Sequence, residues 1–330
     1  MKVLIRGAGV AGLTLAHALA RRGLQVEVAE TRADLAGGAS WMAGGMLAPW
    51  CECESADEAV LALGRDAAAW WERALPGHVV RRGTLVVAPP RDRAELHRFA
   101  ARTSGHQPLD GTAIAALEPD LAGRFREGLF FPGEAHLDPR RALRALHERL
   151  AAAGVRFHFG GEPALPVTAD WQADCMGMAA GEPGLRGVRG EMLILRASDV
   201  TLSRPVRLIH PRFPVYVVPR ADHHFMVGAT MIESDAQGPM TARSAVELLN
   251  AAYALHPAFA EAEIVETGVG VRPAFADNLP RVRRQGRRLT INGFYRHGFL
   301  LAPAMAERAA SLIAAGDGSE EGELAHAAHG

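Results

Sequence analysis

Cysteine is scarce: Cys51, Cys53 and Cys175 are the only three in 330 residues. An odd count excludes a fully paired disulfide framework and suits a reducing compartment. Cys51-Glu52-Cys53 lacks the C-x-x-C spacing, and no second Cys or His pair stands ready to close a zinc site, so the thiols read as ordinary and no metal is expected. An excess of charge is missing as well. The formal net charge of −1 gives no general attraction to nucleic acid or to acidic membranes, and neither is expected as a partner. No apolar run approaches the ~18 residues of a membrane span. Glycines interrupt the apolar start of the chain, which argues against a signal sequence and leaves the cytoplasm as the expected location. The sequence has no internal repeat and no linker rich in Pro, Ser or Gly.

What is present is concentrated at the start. Lys2-Val3-Leu4-Ile5-Arg6 is a short apolar run of strand type, and Gly7-Ala8-Gly9-Val10-Ala11-Gly12 follows at once, opening a helical pattern from Leu13. Gly7 permits the turn, Gly9 lets backbone approach a pyrophosphate, and Gly12 lets the helix pack close to the strand. The free N–H groups of the helix start, at Val10 and Ala11, then point at phosphate. A second strand from Gln25 ends on Glu30, about twenty residues beyond the glycines, where a carboxylate accepts hydrogen bonds from a ribose and disfavours a 2′-phosphate. Glycines, strand, helix and terminal acid together specify an adenine dinucleotide site, with Thr31 beside Glu30.

Residues 36–49, which include Ala39-Ser40-Trp41-Met42 and Ala43-Gly44-Gly45-Met46-Leu47, have too many small residues for a core element. Their Trp, Met and Leu are poor residues to leave in water, so a loop covering a flat ligand is expected. Ser55-Ala56-Asp57-Glu58 reads as a capping box that opens a helix running through Trp70-Trp71, two core residues. Strands follow at 83–88 and 128–131. Asp138-Pro139 starts a helix over 140–153, Gly154 stops it, and 155–159 is the next strand. Residues 173–181 read as a buried strand ending in a small-residue turn, Gly181 included, that approaches the same dinucleotide.

The middle of the chain changes character. Residues 191–196, 215–219, 225–229 and 263–271 are strands with one intervening helix, 242–255. A strand at 289–294, a helix at 300–314 and a frayed polar tail from Gly316 close the chain. The expected fold is α/β: a Rossmann-like FAD-binding domain of glutathione-reductase type, with an interleaved substrate domain built on a mixed or antiparallel sheet. Residues 1–78, 135–188 and 273–330 fall to the first, and 79–134 and 189–272 to the second. Arg281, Arg283, Arg284, Arg287 and Arg288, around Gln285-Gly286, read as a solvated turn rather than an RNA-binding patch.

With these stretches in order, the sequence resembles the flavin-dependent amino-acid oxidases of the D-amino-acid oxidase superfamily, and within it the glycine oxidases of thiamine biosynthesis. The resemblance covers nearly the whole chain. It rests on the Gly-rich turn with Glu30, on Ala43-Gly44-Gly45-Met46-Leu47, on Val215-Tyr216-Val217-Val218-Pro219-Arg220, on Val227-Gly228-Ala229-Thr230-Met231, on Gly270-Val271-Arg272-Pro273 and on Tyr295-Arg296-His297-Gly298-Phe299-Leu300-Leu301-Ala302-Pro303. Two departures stand out. The segment between Phe159 and Ala173 is shorter than in the family, where an adenine contact would fall near Pro163, and Pro214 stands where the family often has a polar or imidazole side chain.

The resemblance implies non-covalent FAD, a small amino-acid or amine substrate, molecular oxygen as acceptor and a homo-oligomer. Such an oxidase must hold a carboxylate, and a guanidinium meets one bidentately. Arg272 is the candidate, placed at the end of the 263–271 strand. Tyr216, one of three tyrosines, would donate to the same carboxylate. Arg296 would lie on the substrate side, and Met231 would line the pocket. Backbone from Phe294 through Tyr295, Arg296, His297, Gly298, Phe299 and Leu300 would contact the flavin, the helix-start amides stabilising its negative charge. His297 reads as a loop residue, and no Asp or His is placed as a general base. Oxidation of sarcosine, a D-amino acid or another secondary amine, dinucleotide binding without turnover, and a tRNA-modification module remain the alternatives.

Overall fold

The computed structural model describes residues 1–161, 168–209 and 215–316, together with the backbone of 323–325. Pro163 and Pro214 lie outside the described residues. The opening strand Lys2–Arg6 sits inside a seven-stranded sheet, parallel to Gln25–Glu30 on one side and to Trp171–Asp174 on the other. Arg156–Phe159 extends the sheet beyond Gln25–Glu30, and Arg288–Asn292 extends it in parallel beyond Trp171–Asp174. Val3, Leu4 and Ile5 are buried without alternation, as a parallel strand covered on both faces requires.

Helix Val10–Ala20 is buried almost all round and lies against helices Pro139–Ala152 and Gly298–Ala315. The last of these has its apolar run interrupted by Glu307 and Arg308. By length and composition it is apolar enough to cross a membrane, yet Phe299, Leu301, Met305, Ala309 and Ile313 are buried inside the protein in the same apolar cluster as Leu13 and Leu15.

A nine-stranded mixed sheet takes its strands from two other stretches of chain. Thr84–Val87, Gln107–Asp110 and Glu127–Phe131 form one group, and Arg186–Arg196 through Glu263–Ala274 the other. All its pairings are antiparallel except that of Val206–Leu208 with Thr84–Val87. The expected α/β class with an interleaved mixed sheet is the observed architecture.

Several local expectations change. The 55–71 helix is two helices, Glu58–Gly64 and Ala67–Ala74, and the cap of the first is Asp57, which accepts the Ala59 N–H at 2.8 Å, rather than Ser55. The final strand of the mixed sheet runs on to Ala274, so Arg272 lies inside it and pairs with Val188; Pro273 is tolerated because this strand pairs on one side only. The arginine cluster is a hairpin, Arg281–Gln285 with Arg288–Asn292, and its side chains meet acids: Arg281 pairs with Asp277, Arg283 with Glu182, and Arg288 with Asp174. In the tail, Glu323–Ala325 adds an edge strand to that hairpin, so the polar composition beyond Gly316 does not leave it frayed throughout.

Candidate active site

A cavity of about 480 Å³ runs between the two sheets. At one end, Gly9, Val10 and Ala11 line it at the start of the helix Val10–Ala20. That helix has no side-chain cap at Gly9 and no acid in its first turn, so its N-terminus is open to an anion. Gly12 is one turn behind: a Cβ there would lie 1.9 Å from the Gly7 carbonyl oxygen, which shows how closely helix and turn pack. Glu30 is buried, accepts the Ala8 N–H at 2.9 Å and pairs with Arg32 at 2.9 Å, and Arg32 lines the cavity. A helix start with no acid in its first turn, a glycine turn and a buried acid at the next strand end fit an adenine dinucleotide.

The 36–49 stretch lines the same cavity through Gly37, Gly38, Ala39, Ser40, Gly44, Gly45 and Met46, as a ligand-covering loop would. Ser40 Oγ accepts the Val10 N–H at 3.1 Å, which ties this loop to the helix start. Gly45 has φ +73°, and a Cβ would lie 2.2 Å from the Leu137 carbonyl oxygen. The chain after Trp171–Asp174 reaches the cavity at Cys175, Met176, Gly177, Met178 and Ala179. Gly181, which the sequence singled out, is exposed and stands outside the lining, as does Thr31, whose hydroxyl is 3.4 Å from Glu30. The small-residue turn closes as a 3₁₀ helix one step earlier than composition suggested.

At the other end, Tyr216, Met231, Arg272 and the whole of Phe294 to Leu300 come together. The Arg272 side chain lies against Gly190, where any Cβ would stand 2.2 Å from its Nη2. Its Nη1 donates to the Thr230 carbonyl at 3.1 Å, and no carboxylate among the described residues pairs with it. Burial lowers its pKa to about 10. A desolvated guanidinium with one neutral acceptor has an unmet demand for an anion.

Tyr216 and Arg296 are placed differently from the expectation. Tyr216 Oη donates to Glu52 Oε1 at 2.7 Å, and Arg296 Nη2 lies 2.7 Å from Glu52 Oε2 while donating to Ser55 Oγ at 2.7 Å. Both side chains are therefore held by a carboxylate that belongs to the protein. Burial alone would raise the Glu52 carboxyl, but Arg296, His297 and Arg207 and the Tyr216 hydroxyl outweigh it and hold the pKa down to about 2. His297 is buried, precedes the first turn of the final helix, and has its pKa lowered to about 4 by burial despite Glu52 at 3.5 Å, so it is neutral. Met231 Sδ receives the Tyr295 hydroxyl at 3.3 Å.

Glu52 is a cavity-lining residue with no counterpart among the site residues expected from sequence. It is the only acid among the described lining residues. Its one local sign was its position between two cysteines directly after the ligand-covering loop. Arg207, buried beside it and donating to the Cys51 carbonyl at 3.1 Å, had no sequence signal at all.

The model of the FAD dependent oxidoreductase family matches residues 2–312. The chain belongs to this family. A Rhizobium etli relative, named "Putative thiamine biosynthesis oxidoreductase ThiO", is 62% identical to this FAD dependent oxidoreductase over 323 residues, covering 97% of this chain and 99% of its own. A glycine oxidase of Pseudomonas aeruginosa is 27% identical over 356 residues, covering 94% of each chain. Among solved structures, glycine oxidase from Geobacillus kaustophilus superposes with a TM-score of 0.81 at 23% identity, over 96% of this chain and 95% of its own, which shows the shared fold. The cofactor of this family is FAD, a dinucleotide of the kind whose chemistry the cradle at Gly9, Val10 and Ala11 fits.

Proposed function

We propose that this flavoenzyme oxidises glycine or a similarly small amino acid to its imine, with molecular oxygen reduced to hydrogen peroxide and the imine hydrolysed to a 2-oxo acid and ammonia. The names of its relatives support a place in thiamine biosynthesis. The observation that carries the reading is Arg272: a half-buried guanidinium that lines the cavity and has no carboxylate partner among the described residues.

Bound FAD supplies the two-electron acceptor. The protein supplies orientation and electrostatics. Arg272 takes the substrate carboxylate in its planar fork. Tyr216 and Arg296 are kept in place by Glu52 and shape the wall instead of competing for that carboxylate. Ionised Glu52 disfavours a second anionic group on the substrate. Met231 and Tyr216 limit the space beyond Cα, which favours glycine and sarcosine over bulkier amines. The start of the final helix, from Gly298, faces the cavity with no acid in its first turn and stabilises negative charge on the bound cofactor.

The flavin is held without a covalent bond, since no cysteine follows Cys175 and Cys175 is a buried thiol whose pKa is pushed up by burial. A peroxide-release screen of glycine, sarcosine, D-alanine, D-proline and iminodiacetate tests the activity. Glycine and sarcosine should lead, and acid precipitation should release all FAD into the supernatant. A protein that turned over none of the five would end the oxidase reading.

A further inference from the structure

A second cavity, of about 290 Å³, shares no lining residue with the first. Its walls carry Arg82, Arg141 and Arg220, with His78, His136 and a single acid, Asp138. Asp138 is already engaged, since Oδ1 accepts the N–H groups of Arg140 at 2.9 Å and Arg141 at 3.2 Å as the cap of its helix. Its other oxygen is 3.9 Å from Arg220 Nε. The side chains of Arg82 and Arg141 are exposed and meet no carboxylate among the described residues. His136 is 4% exposed, and its Nδ1 has no hydrogen-bond partner. Three guanidiniums against one occupied carboxylate, in a chain of net charge −1, is a local concentration of positive charge with its own donors.

This cavity backs directly onto the loop that lines the first one. Arg220 Nη2 donates to the Gly44 carbonyl at 2.7 Å, the Leu137 N–H donates to the Gly45 carbonyl at 2.9 Å, and His136 pairs with Met46 along a two-stranded ladder. Three consecutive residues of the flavin-side loop are thus hung on the wall of the second cavity.

We propose that the second cavity is a binding site for a small phosphate-type oxyanion, free or as the head of a small monoester, and that its occupancy is felt at the flavin through Arg220 and Gly44. Guanidinium forks suit a tetrahedral dianion, which offers several oxygens at once, better than a monocarboxylate, which saturates one fork. An anion that draws the Arg220 fork toward itself competes with the Gly44 carbonyl for the same N–H. That competition makes bound and free states differ at the loop, as coupling between two sites requires.

The test uses the FAD-loaded enzyme at constant ionic strength. Orthophosphate and glycerol 3-phosphate are titrated by calorimetry and by the flavin absorbance spectrum, with acetate as the control. Saturable phosphate binding with a spectral change is expected. The doubly substituted protein Arg82→Ala/Arg141→Ala should bind about tenfold or more weakly, while its glycine oxidation without phosphate stays unchanged. Glycolate, a carboxylate probe for the first cavity, should not displace the phosphate. Equal affinity in parent and variant, displacement by glycolate, or acetate binding as well as phosphate would each overturn the site. Calorimetric binding with a silent flavin spectrum would overturn the coupling. A stronger response to glycerol 3-phosphate than to orthophosphate would mark the monoester as the preferred form.

Discussion

Tyr216 donates its hydroxyl hydrogen to Glu52 at 2.7 Å, across 164 positions of sequence. The acceptor is a carboxylate inside the cavity, ionised with its pKa held down to about 2. It neutralises Arg296 and leaves Arg272 as a cavity-lining cation without a carboxylate partner among the described residues. Replacing Glu52 by Gln should therefore free Arg296 for anions. Malonate, a dicarboxylate, should inhibit the variant more tightly by about 1–3 kcal/mol, the size of one unit charge removed at close range and partial burial, while glycolate inhibition changes little. Malonate inhibition unchanged in Glu52→Gln would show that its charge does not select among substrates.

Arg272→Ala should keep fold and flavin but lose kcat/KM for glycine by about 2–4 kcal/mol, the loss of a partly desolvated bidentate pair. Arg272→Lys should recover part of it, because an ammonium lacks the fork. Glycolate should perturb the flavin spectrum of the parent and not that of the alanine variant. Unchanged kcat/KM in Arg272→Ala would remove the assignment.

Gly45→Ala places a Cβ 2.2 Å from a backbone oxygen at φ +73°. The loop must shift or the residue must strain, at a cost of about 1–3 kcal/mol. The expected signature is weaker FAD retention on dilution together with a lower Tm. Loss of stability with FAD affinity intact would mean that this loop does not bear on the cofactor.

Glu134 gives a pH-dependent prediction. It is 1% exposed, accepts the Cys51 N–H at 2.7 Å and has an oxygen without a partner. Burial raises its pKa to about 7, with Glu52 adding to the rise. An unfolded carboxyl has lost its proton above its ordinary value near 4.5, so through that value up to about 7 the folded state binds the extra proton. Stability from this group is present at low pH and falls as pH rises through that window, by about 3 kcal/mol in all. Glu134→Gln does not titrate, so its Tm relative to the parent should climb between pH 5 and pH 8. A constant difference in Tm over that range would rule the titration out.

The nucleotide half of this protein was legible because its signals are local. Gly7 to Gly12, the helix after them and Glu30 fall within thirty residues, and each position has a backbone reason for its residue type. The interleaving of the sheets was legible from the switch between helix-rich and strand-rich stretches. Glu52 was not, because its role comes from Tyr216, Arg296 and His297, which no periodicity connects to it. The arginine hairpin was misread for the same reason: its charges are balanced by Asp174, Glu182 and Asp277, two of them about a hundred residues upstream in the chain. Composition reports charges, and only the fold reports their partners.

The burial of the final helix against the first sets the order in which this protein can be completed. A ribosome delivers Val10–Ala20 long before Gly298–Ala315, so the apolar face of the first helix waits for the cover that the second provides. A chain stalled before Gly298 lacks part of the cover over the apolar cluster that holds Leu13 and Leu15.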